Sequence, residues 1–140
     1  PAPQAWTDDG SAYVELHGGL APTFDDRTAL EPGQQVAWEE VWYPVAGLGN
    51  LVHAGRHAAL GLAQGQDGPV LVLHTPRPVR GTLVLAGPGG EVLLRREGEA
   101  APGAPLRVPL EGTLHQAPAE VRLLDENGKT LYTCAWERVW

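Results

Sequence analysis

Glu15 is a lone carboxylate in an apolar run, Ala12-Tyr13-Val14-Glu15-Leu16. If the run is a strand, Tyr13 and Glu15 share one face while Ala12, Val14 and Leu16 share the other. Such a carboxylate, beside a tyrosine on the concave face of a sheet, is suited to accept a proton. The alternative is an outward-facing glutamate on a half-buried strand. A second pattern lies in Val36-Ala37-Trp38-Glu39-Glu40-Val41-Trp42-Tyr43. On a strand, Trp38, Glu40 and Trp42 would share one face. Aromatic rings stack on the apolar faces of sugars, so this face is a candidate carbohydrate platform; the competing reading is that its tryptophans belong to a core.

Other constellations carry less chemistry. His53 and His57 have the spacing that puts two imidazoles on one metal from a helix, but Gly55 lies between them and no third ligand is near, so no metal site is expected. Asp8-Asp9 and Asp25-Asp26 sit among loop-forming residues and read as turn caps. Gly18-Gly19 and Gly89-Gly90 lack a following helix and read as turns rather than phosphate cradles. No Ser/His/Asp order or Cys/His pair supports a nucleophile. Cys134 is the single cysteine, so the chain holds no internal disulfide, and its apolar neighbours make it a small buried hydrophobe. No cofactor is expected.

The elements that position these residues read as all-β. Gly (18) and Pro (13) are frequent among the 140 residues, which implies many turns. No long stretch keeps a helical period, and residues 49–64, which contain Gly55 and Gly61, read as linker and strand. From about residue 58 onward, strands are expected at 58–63, 70–75, 81–86, 91–96, 105–110, 120–125 and 130–138. Seven strands so spaced favour an immunoglobulin-like or fibronectin-like sandwich. The Gly87-Pro88-Gly89-Gly90 run and Asn127-Gly128 are hairpin turns. A two-residue turn at Asn127-Gly128 pairs Leu123 with Tyr132, Val121 with Cys134 and Arg122 with Thr133. Val121, Leu123, Tyr132, Cys134 and Trp136 then face inward.

A net charge of −7 with scattered arginines argues against a nucleic-acid partner. No apolar run approaches the roughly 20 residues of a membrane-spanning helix, and no membrane partner is expected. The chain has no Met and opens on Pro, which suggests a piece of a longer protein.

The order of Glu15, Gly19, the Pro22-Thr23-Phe24-Asp25-Asp26 loop, the Leu30-Glu31-Pro32-Gly33 turn and the Trp38-to-Tyr43 segment resembles the closing part of a galactose mutarotase-like domain. It is most similar to a mutarotase-like subfamily of unknown function with Tyr-x-Glu-x-x-x-Gly and Trp-x-Glu, here Tyr13, Glu15, Gly19, Trp38 and Glu40. The resemblance covers about the first third of the chain. It implies a large antiparallel β-sandwich that binds sugar on its concave face, with Glu15 as the general base at the anomeric hydroxyl. Tyr13, Trp38, Glu40 and Trp42 are the candidate sugar contacts. The family's acid is a histidine well upstream of the Glu strand, and His17 does not replace it.

The expected organisation is therefore residues 1–47 as terminal strands of a mutarotase-like, sugar-binding domain and residues 48–140 as an immunoglobulin-like β-sandwich. The expected function is that of the C-terminal part of a carbohydrate-handling protein, inactive alone, whose parent is an aldose 1-epimerase-like isomerase or a sugar binder. The alternative is a non-catalytic structural or interaction protein. The partners expected are carbohydrate, and either the missing N-terminal part of the parent or a homo-oligomeric partner to complete the first sheet.

Overall fold

The structure, a computed structural model, describes residues 9, 18–23, 25–110 and 118–138. The chain divides into two compact units, Pro1–Val41 and Trp42–Trp140. Among the described residues every strand lies in the second unit: β1 (Asn50–Ala54), β2 (Ala59–Gly65), β3 (Gly68–His74), β4 (Val79–Ala86), β5 (Val92–Ala100), β6 (Leu106–Pro109), β7 (Glu120–Asp125) and β8 (Thr130–Ala135). A single 3-10 turn, Trp136–Arg138, follows β8, and no α-helix occurs among the described residues. The strands form two antiparallel sheets, ordered β1-β2-β3-β6 and β5-β4-β7-β8. The β-sandwich expected from strand spacing is thus present.

Alternation explains the core. In β2, Ala59-Leu60-Gly61-Leu62-Ala63 sends Leu60 and Leu62 to one face and three small residues to the other. Leu60 packs with Leu71, Leu73 and Val108 of its own sheet and with Leu83, Leu85, Val121 and Leu123 of the facing one. Tyr132, Cys134 and Trp136 join this cluster, as the hairpin register requires. Full burial of each leucine is worth about 1.5–3 kcal/mol, so this alternation dominates the stability of the second unit.

The small face of β2 is also covered. Leu48, Ala59 and Val72 form a second buried cluster with Tyr43, Ala63 and Val70 packed against it. Residues 43–49 therefore run as a strap over the outer side of the first sheet. Gly61 allows the close approach: a Cβ there would lie 2.5 Å from the Leu48 carbonyl oxygen and 2.8 Å from its Cβ. Arg107 Nη1 donates to the Gly47 carbonyl at 3.0 Å and ties the strap to β6.

The last hairpin differs in one detail from the sequence expectation. Leu123 pairs with Tyr132, Val121 with Cys134 and Arg122 with Thr133, as expected. The turn is not the two-residue form, however, because Asp125 N–H donates to the Lys129 carbonyl at 2.9 Å around Glu126, Asn127 and Gly128. The Asp125 carboxylate selects this longer loop by accepting the N–H groups of Asn127 (2.9 Å) and Lys129 (2.8 Å). Gly128, at φ 78°, supplies the left-handed residue. A bulge that leaves Leu131 unmatched takes up the extra residue, since Leu124 pairs with Thr130.

The segment before β1 departs further from expectation. Residues 36–43, read as an aromatic-rich strand, join no ladder, and no strand precedes Asn50 among the described residues. Alternating chemistry supplies a face but not a partner, and a strand without ladder partners is not stable alone. The Leu30-Glu31-Pro32-Gly33 turn is present: Gln34 N–H donates to the Glu31 carbonyl at 2.9 Å, and Gly33 has φ 84°.

Candidate functional site

In the first unit, Trp38 and Glu40 are brought together. Trp38 Nε1 donates to Glu40 Oε1 at 2.8 Å, and Trp38 remains 55% exposed. This bond fixes the indole beside the carboxylate while leaving ring surface open to solvent. Gly18 adjoins the Glu40 carboxylate so closely that a Cβ at that position would overlap both carboxylate oxygens. Asp26 accepts a bond from Thr23 Oγ1 at 2.8 Å in an exposed turn, as a turn-capping carboxylate does. Tyr13 and Glu15 lie outside the described residues. Trp42 opens the second unit and is 53% exposed.

The second unit holds two further groupings. At one edge, His53 Nδ1 of β1 lies 2.9 Å from the Tyr132 hydroxyl of β8, with rings tilted by 54°. A concavity of about 420 Å³ opens beside them, lined by His53, Glu120, Thr133, Cys134 and Glu137 among others. Burial, with a smaller contribution from Cys134, pushes the Tyr132 phenol well above its usual range. A phenol so held stays protonated and acts as a hydrogen-bonding link between the sheets rather than a nucleophile. The Cys134 thiol is buried and donates to the Ala135 carbonyl at 3.3 Å. Glu120 accepts a bond from Thr133 Oγ1 at 2.6 Å and lies 2.9 Å from Arg122 Nε, so it is occupied in binding its own strands.

The other grouping is under the strap. Tyr43 stacks on buried His74, and its hydroxyl donates to the Gly55 carbonyl at 2.7 Å. His74 Nδ1 and Thr75 Oγ1 are buried without a hydrogen-bond partner among the described residues. His53 is on β1 and exposed His57 is in the following turn, so the pair does not have the helical geometry considered from its spacing. Among the described residues no three His, Cys, Asp or Glu side chains gather as a metal site would require.

Sequence reasoning missed the His53–Tyr132 and Tyr43–His74 contacts, which join residues far apart in the chain. The one available signal was the alternation that turned Tyr132 inward. Of the candidate sugar contacts, the structure joins Trp38 directly to Glu40. Comparison of the chain with protein-family models, curated proteins and solved structures finds no match.

Proposed function

We propose that this chain is the sugar-binding C-terminal part of a carbohydrate-handling, mutarotase-like protein, followed by an immunoglobulin-like module. The observation that supports this reading best is the Trp38 Nε1–Glu40 Oε1 bond at the edge of an exposed indole. An indole with a fixed orientation loses little freedom when a pyranose stacks on it, and an adjacent carboxylate accepts hydroxyl hydrogens. Glu15 remains the proposed proton acceptor in an intact aldose 1-epimerase-like parent, and Tyr13 a proposed sugar contact. In that parent a general acid and a general base would each contribute roughly 10²–10⁴-fold.

The experiment is calorimetric titration of the chain with neutral mono- and oligosaccharides, repeated with Trp38→Ala and Glu40→Gln. Saturable binding that Trp38→Ala abolishes and Glu40→Gln weakens supports the reading. Absence of binding, or binding indifferent to both substitutions, refutes it. A non-catalytic interaction role is the second reading, favoured by the way Tyr132, Cys134, Glu120 and Arg122 are all engaged within the sandwich.

A further inference from the structure

The charge of the chain is unevenly placed. With His neutral, residues 1–41 carry eight Asp and Glu against a single Arg, a net charge of −7, whereas residues 42–140 carry nine acidic and nine basic side chains and are neutral. The whole net charge of the chain therefore belongs to the first unit, which also holds Trp38 and Glu40. A field of one sign concentrates ligands of the opposite sign and repels those of its own.

Trp38 and Glu40 offer a cation two attractions in one place. An indole N–H lies in the plane of its ring and its hydrogen bonds run close to linear, so the carboxylate bonded to Trp38 Nε1 at 2.8 Å sits at the rim of the ring, near its plane. Gly18 backs this carboxylate so closely that no Cβ would fit, which helps to hold it at the rim. A pyranose stacked on the exposed indole lies about 3.5–4 Å above it, the contact distance between carbon atoms. A substituent on the edge of the pyranose then overhangs the carboxylate at ion-pair distance. If that substituent is an ammonium, both the carboxylate and the π face of the indole attract it. A hydroxyl gains only a hydrogen bond, and a carboxylate is repelled.

We propose that the Trp38–Glu40 site selects sugars bearing a protonated amino group, amino-deoxyhexoses and their oligomers, over neutral sugars and against uronates. The inference rests on the reading of this site as a sugar platform and adds the charge class of its ligand.

The test follows the Trp38 indole N–H resonance of the full chain during titration with trisaccharides of glucosamine, N-acetylglucosamine and galacturonate, and with trilysine, at about pH 6, where an amine is protonated. The glucosamine trisaccharide should bind roughly fivefold tighter than its N-acetylated form, the upper range for an exposed ion pair, and galacturonate should bind most weakly. Salt at about 1 M, where charges are screened within about 3 Å, should remove most of that advantage. Glu40→Gln should bring the two affinities together. Equal affinities in the wild type, or an advantage indifferent to salt or to Glu40→Gln, overturn the proposal and leave the sugar reading standing. Trilysine bound at Trp38 as tightly as the glucosamine trisaccharide also overturns it, because the site would then recognise charge without a sugar. Failure of every saccharide to bind overturns both. If Glu40→Gln does not fold, the salt dependence and the N-acetylated ligand decide alone.

Discussion

The rings of Tyr43 and His74 lie parallel, 2° apart in plane with centroids 6.1 Å apart, and this stack seats the strap on the first sheet. His74 is 2% exposed beneath it. The stack and the Tyr43 hydroxyl bond to Gly55 separate under mutation. Tyr43→Phe keeps the ring and should cost about 0.5–1.5 kcal/mol, the net worth of one hydrogen bond. Tyr43→Ala also loses the packing and should cost about 2–4 kcal/mol. Urea unfolding of both variants measures the difference; equal losses would mean that the ring contributes nothing.

Gly61 should tolerate no side chain. A Cβ there meets the Leu48 backbone, which cannot rotate away, so Gly61→Ala must displace the strap. A loss of about 1–3 kcal/mol is expected from overpacking. Hydrogen exchange should show faster opening of the amides of residues 43–49 in the variant. Unchanged protection there would contradict the strap packing.

Thr75→Val should be neutral or stabilising by about 1 kcal/mol. The threonine is fully buried and its hydroxyl has no partner among the described residues, so removing it relieves a desolvation penalty at nearly constant shape. Chemical denaturation reads the sign directly. A destabilised variant would show that the hydroxyl is engaged.

Stability should fall at alkaline pH. Burial raises the Tyr43 phenol, and burial together with Cys134 raises that of Tyr132, above the ordinary 10.0. The unfolded chain then releases these protons first, so their contribution is whole below about pH 10 and is lost as pH rises through the folded-state values. The loss is at most about 1.4 kcal/mol per pH unit for each group, and smaller for the more exposed Tyr43. The near-ultraviolet phenolate absorbance of Tyr43 and Tyr132 should appear together with unfolding. Titration of both near pH 10 in a still-folded protein would contradict their burial.

How far the sequence could be read follows from what kind of information each feature needs. The β7–β8 register was legible because Val121, Leu123, Tyr132 and Cys134 alternate with polar residues about an Asn-Gly turn, so a one-residue slip would bury Arg122. The three-residue loop was not, because Asp125 competes for the turn through its side chain. The strap was hidden because Ala59, Gly61 and Ala63 form a small-residue face that fits solvent or a close-packed chain equally well. Trp38 and Glu40 were read as neighbours from their i, i+2 spacing, and they are neighbours, but through a side-chain bond rather than on a strand. Glu15 and Tyr13, on which the catalytic expectation rests, lie outside the described residues.

Sugar binding at Trp38 is tested most directly by the side-chain N–H resonances of the five tryptophans in a ¹⁵N-labelled sample titrated with saccharide. The indole N–H of Trp38 should shift in a saturable manner, and Glu40→Gln should change its starting position and reduce the affinity. Trp136, in the core of the sandwich, should not move. A Trp38 resonance that stays fixed while any sugar is added to saturation would contradict carbohydrate recognition by this chain.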